Sequence, residues 1–340
     1  LPSAGYGELP QVSSILVTGA AGFIGHHVCL QLAKAGHAVV AVDSFTEYYE
    51  PGLKEARSER LSRLTGIDVR RLDIADRETL GSLVRESGVE RVVHLAAQAG
   101  VRYSIDHPFA YEHANLLGHL AVLEACRHAP NVRHLVYASS SSVYGDRPAS
   151  GSAFTEADPV NHPVSLYAAT KRAGELMSDT YAHLYGLPQT GLRFFTVYGP
   201  WGRPDMAYFS FTRRILRGES IEIYGEGQMS RDFTYIDDIV SGILGILDRP
   251  PENGGHRILN IGANKPRSLA DFVAAIEAAC GRPAERVMRP MQSGDVTMTW
   301  ADVSELKALT GYAPTTDLET GLGYFVTWYR SRYSDDGTVR

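Results

Sequence analysis

The tightest constraint on this chain is a turn. The apolar run SILVTGA (Ser14–Ala20) leads into TGAAGFIGHH, which sets Gly19, Gly22 and Gly25 in a G-x-x-G-x-x-G pattern. A run this apolar reads as a strand buried on both faces. The segment that follows, FIGHHVCLQLAKAG, carries Ile24, Val28, Leu32 and Ala35 at helical spacing, with Gly36 suited to the C-terminal cap. A strand, a glycine turn and a helix in that order predict a dinucleotide-binding corner. The first glycine permits the tight turn, and the second lets the backbone approach a pyrophosphate. The third lets the helix pack close to the sheet, with its N-terminus toward the phosphates. The spacing is one residue wider than the common G-x-G-x-x-G, and a purely structural glycine turn is the competing reading.

The same alternation continues. HAVVAVD (His37–Asp43), VRRLDIAD (Val69–Asp76), RVVHLAA (Arg91–Ala97), HLVYASS (His134–Ser140) and TGLRFFTVYG (Thr190–Gly199) read as further strands between helical stretches. Apolar strands separated by helices predict an α/β protein with a doubly wound, Rossmann-type parallel sheet. After Gly199 the pattern becomes irregular. RDFTYIDDIVSGILGIL reads as a helix, HRILNIGA as a short strand, and SLADFVAAIEAACG as an amphipathic helix with Ser268 or Asp271 near its start. We therefore expect a dinucleotide-binding domain over residues 12–198, with a returning segment at about 235–263. A smaller C-terminal α/β substrate domain would use 199–234 and 264–330, leaving 1–11 and 333–340 flexible.

Composition excludes some classes. The net charge is −6 and no basic stripe is present, which argues against nucleic acid as a partner. No apolar run reaches the ~18–20 residues that span a membrane. The first residues lack the basic start and apolar centre of a signal peptide. Cys29, Cys126 and Cys280 are far apart in apolar helical surroundings. That spacing suits small core residues in a reducing cytoplasm, with neither a disulfide framework nor a metal site.

Several residues carry candidate chemistry. Asp43 ends the second strand 18 residues after Gly25. A carboxylate there can accept from the adenosine ribose hydroxyls and repels a 2′-phosphate, which favours NAD; a solvated strand-end aspartate is the alternative. Asp73 ends the third strand within reach of an adenine, and LAAQAG is small enough to let a cofactor lie over the fourth. Tyr167 and Lys171 in SLYAATKRAGELM share one helix face. A nearby ammonium, and the positive charge of an oxidised nicotinamide, would favour the phenolate of a tyrosine that is otherwise a poor base. Ser139–Ser142 follow the fifth strand, where four small hydroxyls fill a core poorly.

The glycine turn, the serine run and Tyr-x-x-x-Lys together resemble the extended short-chain dehydrogenase/reductase family over about residues 14–330. The strings AAQAGVRYSIDHP, HPVSLYAATK, GLRFFTVYGPWGRPDM and RDFTYIDDI are closely similar to those of the UDP-glucuronic acid 4-epimerases. The resemblance implies catalysis by Tyr167, Lys171 and Ser140. It implies NAD held by Gly19, Gly22, Phe23, Ile24, Gly25, Asp43, Lys54, Asp73, Ile74, Leu95, Ala97, Gln98, Asn115, Tyr167 and Lys171. A UDP-sugar would meet Ser141, Ser142, Arg102, Thr196, Arg203, Arg231 and Asp295, with Arg203 and Thr196 at the sugar carboxylate. The implied reaction inverts C4 of UDP-glucuronate to UDP-galacturonate through a transient 4-keto sugar. UDP-glucuronate decarboxylases and 4,6-dehydratases place an acid where SSSSVYG offers only hydroxyls. A UDP-glucose/UDP-galactose 4-epimerase turns on Arg203, a plausible surface ion-pair residue, and an NAD-sensing regulator would be expected to lose Tyr167 or Lys171. Helices near Tyr111–His128 and Tyr167–Tyr185 match those of a family homodimer.

Overall fold

The computed structural model describes residues 13–146, 152–227, 229–290, 298–334 and 339. Residues 1–11, expected to be flexible, lie outside that set, as does Asp295. Strands β1 (Ser14–Thr18), β2 (Ala38–Asp43), β3 (Val69–Arg71), β4 (Arg91–His94), β5 (His134–Ser140) and β6 (Gln189–Phe194) form the first half of the chain. Two further segments, β7 (Thr196–Tyr198) and β8 (Ile221–Tyr224), precede β9 (Ser230–Tyr235) and β10 (His256–Ile261). The central sheet runs β10-β6-β5-β4-β1-β2-β3, parallel throughout. Its order reverses at β1, between β2 and β4. In an open α/β sheet the crevice at the carboxyl ends of the strands, at such a reversal, is where ligands bind.

Helices α1 (Phe23–Lys34), α2 (Pro51–Thr65) and α3 (Arg77–Glu86) alternate with the first strands. Their limits follow local chemistry. Gly36 adopts φ 85° just past α1, Pro51 opens α2, Gly66 at φ 73° closes it, and the Asp76 side chain accepts from Thr79 N at the start of α3. The expected single helix near Tyr111–His128 is interrupted. Short turns α4 (Tyr103–Asp106) and α5 (Pro108–Tyr111) lead into a π-helical turn at Glu112–Leu117, and only then into α6 (Gly118–Arg127). Helix α7 (Leu166–Tyr185) begins where the Ser165 hydroxyl accepts from Ala168 N at 3.1 Å and ends at left-handed Gly186.

The sixth predicted strand is two strands. At Phe195 the chain leaves the central sheet, and β7 pairs with β9 in a second sheet. Thus the first part of RDFTYIDDI is strand β9, and helix α8 (Ala207–Arg217) is followed by α9 (Ile236–Leu247), which packs on α1. The second sheet adds β11 (Pro266–Ser268), which pairs antiparallel to β9, while β12 (Arg286–Arg289) lies beside β8 and β13 (Met298–Thr299) flanks β9. Asp232 is fully buried on β9 and accepts from Ala263 N, Asn264 N and Ala301 N, which pins the surrounding loops. Ser268, not Asp271, caps α10 (Leu269–Cys280) by accepting from Asp271 N. The last helices are α11 (Ser304–Thr310) and α12 (Leu318–Arg332). Tyr333, assigned by the sequence reading to a frayed end, is instead buried and stacks on Tyr329 at 4.8 Å.

Candidate active site

The carboxyl ends of the central strands open into one cavity of about 1080 Å³. Gly19, Gly22, Phe23, Ile24 and Gly25 form its wall after β1. Gly19 has φ 71°, and a Cβ there would stand 2.7 Å from Ala96 N; a Cβ on Gly25 would stand 2.1 Å from Gly19 O. Both distances are too short for any side chain, so the backbone alone lines this cradle. Gly22 caps α1 without a side-chain partner, which leaves the first amides of α1 to face a ligand. A pyrophosphate fits such a cradle.

Asp43 ends β2 almost buried. Its carboxylate accepts from Ala21 N at 3.0 Å and Phe45 N at 2.8 Å, so the glycine turn and the ribose position share one anchor. Lys54 lies in the same wall, and its ammonium donates to Thr46 O at 2.7 Å and Thr46 Oγ1 at 2.8 Å. Burial lowers its pKa and the Asp43 charge opposes that. Asp73 and Ile74 line the next section, where Asp73 pairs with His113 Nε2 at 2.7 Å on a half-exposed rim. Leu95, Ala97 and Gln98 line the cavity after β4. Asn115 stands behind this wall and does not line the cavity. Its carboxamide accepts from Gln98 N at 2.8 Å and donates to Gln98 O and Thr170 Oγ1, both at 3.0 Å. The π-helical turn supplies that position, and Asn115 thereby fixes the Gln98 backbone to α7.

Tyr167 and Lys171 project from α7 beside the end of β5. Lys171 Nζ donates to Ala138 O at 2.8 Å, and burial brings its pKa down to about 8 against the opposing charge of Glu175. Tyr167 is shifted upward by burial, opposed by the Ser140 hydroxyl and the Arg203 charge. The Lys171 ammonium is turned to the β5 carbonyl, one helical turn along from Tyr167. The serine run divides by role. Ser139 donates to buried Glu175 at 2.6 Å, while Ser140 donates to Ser142 Oγ at 3.1 Å and caps a 3₁₀ turn. Ser140, Ser141 and Ser142 all line the cavity.

The far half of the cavity receives Arg102, Thr196, Arg203 and Arg231. Arg102 lies over the Tyr224 ring, and Arg231 donates to Ser230 O at 3.0 Å. Arg203 is already paired: Nε donates to Asp205 Oδ1 at 3.1 Å and Nη2 to Oδ2 at 2.5 Å, and Tyr48 donates to the same carboxylate at 3.0 Å. Sequence reasoning missed Asp205 and Tyr48, although Asp205 sits in the quoted string GRPDM. It also missed Phe211, Phe233 and Phe272, which line the far end with Phe233 stacked on Phe272 at 4.1 Å. Spread over two helices and a strand, they leave no local signal. Arg57 was missed as well. It is fully buried and donates to Ala21 O, Tyr49 Oη, Trp201 O and Gly202 O, which ties the glycine turn to the loop that carries Arg203.

A parallel sheet reversing at a glycine cradle, an acid ending β2, and a tyrosine four residues before a lysine define a nicotinamide-dependent enzyme of the short-chain dehydrogenase/reductase type. Comparison narrows the class: the chain belongs to the NAD dependent epimerase/dehydratase family, whose model matches residues 15–262. It is 49% identical over 334 residues to UDP-glucuronate 4-epimerase 1 of Arabidopsis thaliana, covering 94% of this chain and 77% of that one. Its fold is similar to the UDP-glucuronic acid 4-epimerase of Bacillus cereus solved with UDP-glucuronic acid and NAD, at a TM-score of 0.87 and 35% identity, covering 94% and 100% of the two chains. A UDP-glucose 4-epimerase of Thermotoga maritima solved with UDP-glucose matches at a TM-score of 0.83 and 31% identity, over 94% and 99%.

Proposed function

We propose that this chain inverts C4 of UDP-glucuronate to give UDP-galacturonate, with NAD as its resident cofactor. The observation that carries the reading is the hydroxyl wall of Ser140, Ser141 and Ser142 lining one cavity with Tyr167 and Arg203, with no acid within the run. NAD, when bound, supplies reversible oxidation at the sugar C4. Tyr167 takes the C4 hydroxyl proton and later returns it, and Ser140 holds that hydroxyl in place. Lys171 meets the cofactor ribose from α7, beside the end of β5. Gly19 to Gly25 with Asp43 and Lys54 hold the dinucleotide, and Asp73, Ile74, Leu95, Ala97 and Gln98 flank it. Asn115 keeps the Gln98 backbone in register. Arg231 and Arg102 take the diphosphate, with Asp295 assigned to the same end from sequence.

A 4-keto uronate is a β-keto acid and loses carbon dioxide when its carboxylate stands perpendicular to the ketone plane. Arg203, Thr196 and the serine wall would keep that carboxylate near the plane. A decarboxylase or dehydratase would need an acid that the serine run does not offer.

Residues 12–198 with 235–263 form the cofactor half in this reading, and 199–234 with 264–330 the UDP-sugar half. The pairing of β10 with β6 supports the return. A cytoplasmic homodimer completes it: Leu120, Leu176 and Leu184 are exposed on α6 and α7, and Cys29, Cys126 and Cys280 are free buried thiols. Incubating the purified chain with UDP-glucuronate, UDP-galacturonate and UDP-glucose, then resolving the products, tests the reaction. Interconversion of the two uronates supports it; turnover of UDP-glucose alone, or release of a UDP-pentose as the main product, overturns it.

A further inference from the structure

We propose that Asp205 is a specificity-setting residue: it occupies the fork of Arg203 until the substrate carboxylate displaces it, and it recaptures Arg203 so that the sugar can turn. The inference rests on the uronate reading above. Asp205 and Arg203 are two residues apart on one loop, and both face the cavity. Their contact is a parallel pair, Nε to Oδ1 and Nη2 to Oδ2, the geometry in which a guanidinium binds any carboxylate. One edge of Arg203 cannot hold both Asp205 and a uronate. A uronate that takes the Nε–Nη2 edge does so by exchange with Asp205. Tyr48 already donates to Asp205 Oδ2 and stays with it when Arg203 leaves. A neutral hexose brings a C6 hydroxyl, which leaves the pair intact.

The exchange therefore weighs on the uronate and not on the hexose. It also limits how firmly Arg203 grips the sugar, and a keto sugar that must turn over has to be let go. Burial would raise the Asp205 pKa, yet the Arg203 charge outweighs it and the net shift is downward, so the competitor stays ionised at neutral pH. Arg203 is shifted upward by the same partner against its own burial.

The test uses the NAD-loaded enzyme and its Asp205→Asn variant, which keeps the side-chain size. KM and kcat are measured for UDP-glucuronate, and Ki for UDP-glucose as a competing ligand. The expected result is a UDP-glucuronate KM lower by about five- to tenfold relative to the UDP-glucose Ki, with a lower kcat, the size of one exchanged charge-assisted partner. Tyr48→Phe, which removes the hydroxyl that receives the released Asp205, should move the same ratio the other way. An unaltered UDP-glucose Ki shows that each variant is folded. A ratio that moves less than about twofold in Asp205→Asn, or rises, overturns the proposal while wild-type turnover of UDP-glucuronate leaves the functional reading standing. A wild type that does not turn over UDP-glucuronate overturns both.

Discussion

Ser139 and Glu175 share a 2.6 Å hydrogen bond that ties the end of strand β5 to the middle of α7. Glu175 is fully buried and also accepts from Arg193 at 2.8 and 2.9 Å and from Arg172 at 2.9 Å. Lys171 lies one helical turn before it and Ser140 one residue after Ser139. A single buried carboxylate thus sets the distance between the serine wall and the helix bearing Tyr167.

Glu175→Gln should lower stability by about 3–5 kcal/mol, because it leaves the Arg193 guanidinium buried without a counter-charge. Burial would raise the Glu175 pKa, but Arg193, Ser139 and Arg172 hold it below the usual carboxylate range. Its stabilisation is therefore present above the unfolded pKa of about 4.3 and lost as pH falls through the folded value. Thermal melts of the two proteins should differ at neutral pH and converge in acid.

The same variant should change the pH profile. Lys171 titrates at about 8, held down by burial and up by Glu175. Without that charge its pKa falls further. The alkaline limb of kcat/KM should begin near pH 8 in the wild type and at lower pH in Glu175→Gln, read from initial rates across pH 6–10.

Tyr167→Phe removes the group proposed to carry the C4 proton and should reduce kcat by roughly 10²–10⁴-fold. UDP-glucuronate binding, measured by calorimetry, should persist, since the ring and its T-shaped contact with Tyr111 at 6.1 Å remain. A regulator that only senses NAD would keep its function in this variant.

Arg203→Ala should slow epimerisation and release more UDP-pentose, because the carboxylate of the keto sugar loses the clamp proposed for it. Product separation by ion-exchange chromatography reads both at once. Unchanged epimerisation with no pentose would remove Arg203 from the carboxylate site.

Gly25→Ala should empty the cofactor site. Its Cβ would meet Gly19 O at 2.1 Å, so the cradle must open to admit a methyl group. NAD released from the denatured protein should fall well below one per chain, while wild type carries NAD.

The central sheet was legible because each strand is a short apolar run and each helix a 3.6-residue pattern. The cradle was legible because its glycines are adjacent in sequence. Tyr167 and Lys171 could be paired because a helix converts a spacing of four into proximity. Other features depend on contacts between distant segments. GLRFFTVYG is apolar on both sides of Phe195, so nothing in it marks where the chain changes sheets. The π-helical turn that turns Asn115 toward Gln98 has no residue signature in EHANLL. Arg57 reads as a surface position in a charged helix, yet Trp201 and Gly202 close over it from 144 and 145 residues away. Arg203 reads either as a carboxylate ligand or as one half of an ion pair, and nothing in GRPDM marks Asp205 as its partner or Tyr48 as the donor to that Asp205.

The change of sheet at Phe195 bears on how a sugar can reverse its face in this enzyme. The backbone passes from β6 to β7 through one residue, and Phe195 N is itself bonded to Ile261 O at 3.1 Å. That bond ties the crossing to β10, so the two sheets meet in one continuous floor along the cavity. In the proposed reaction a ketose that turns above this floor exchanges hydrogen-bond partners along the wall, Arg203 and Asp205 among them.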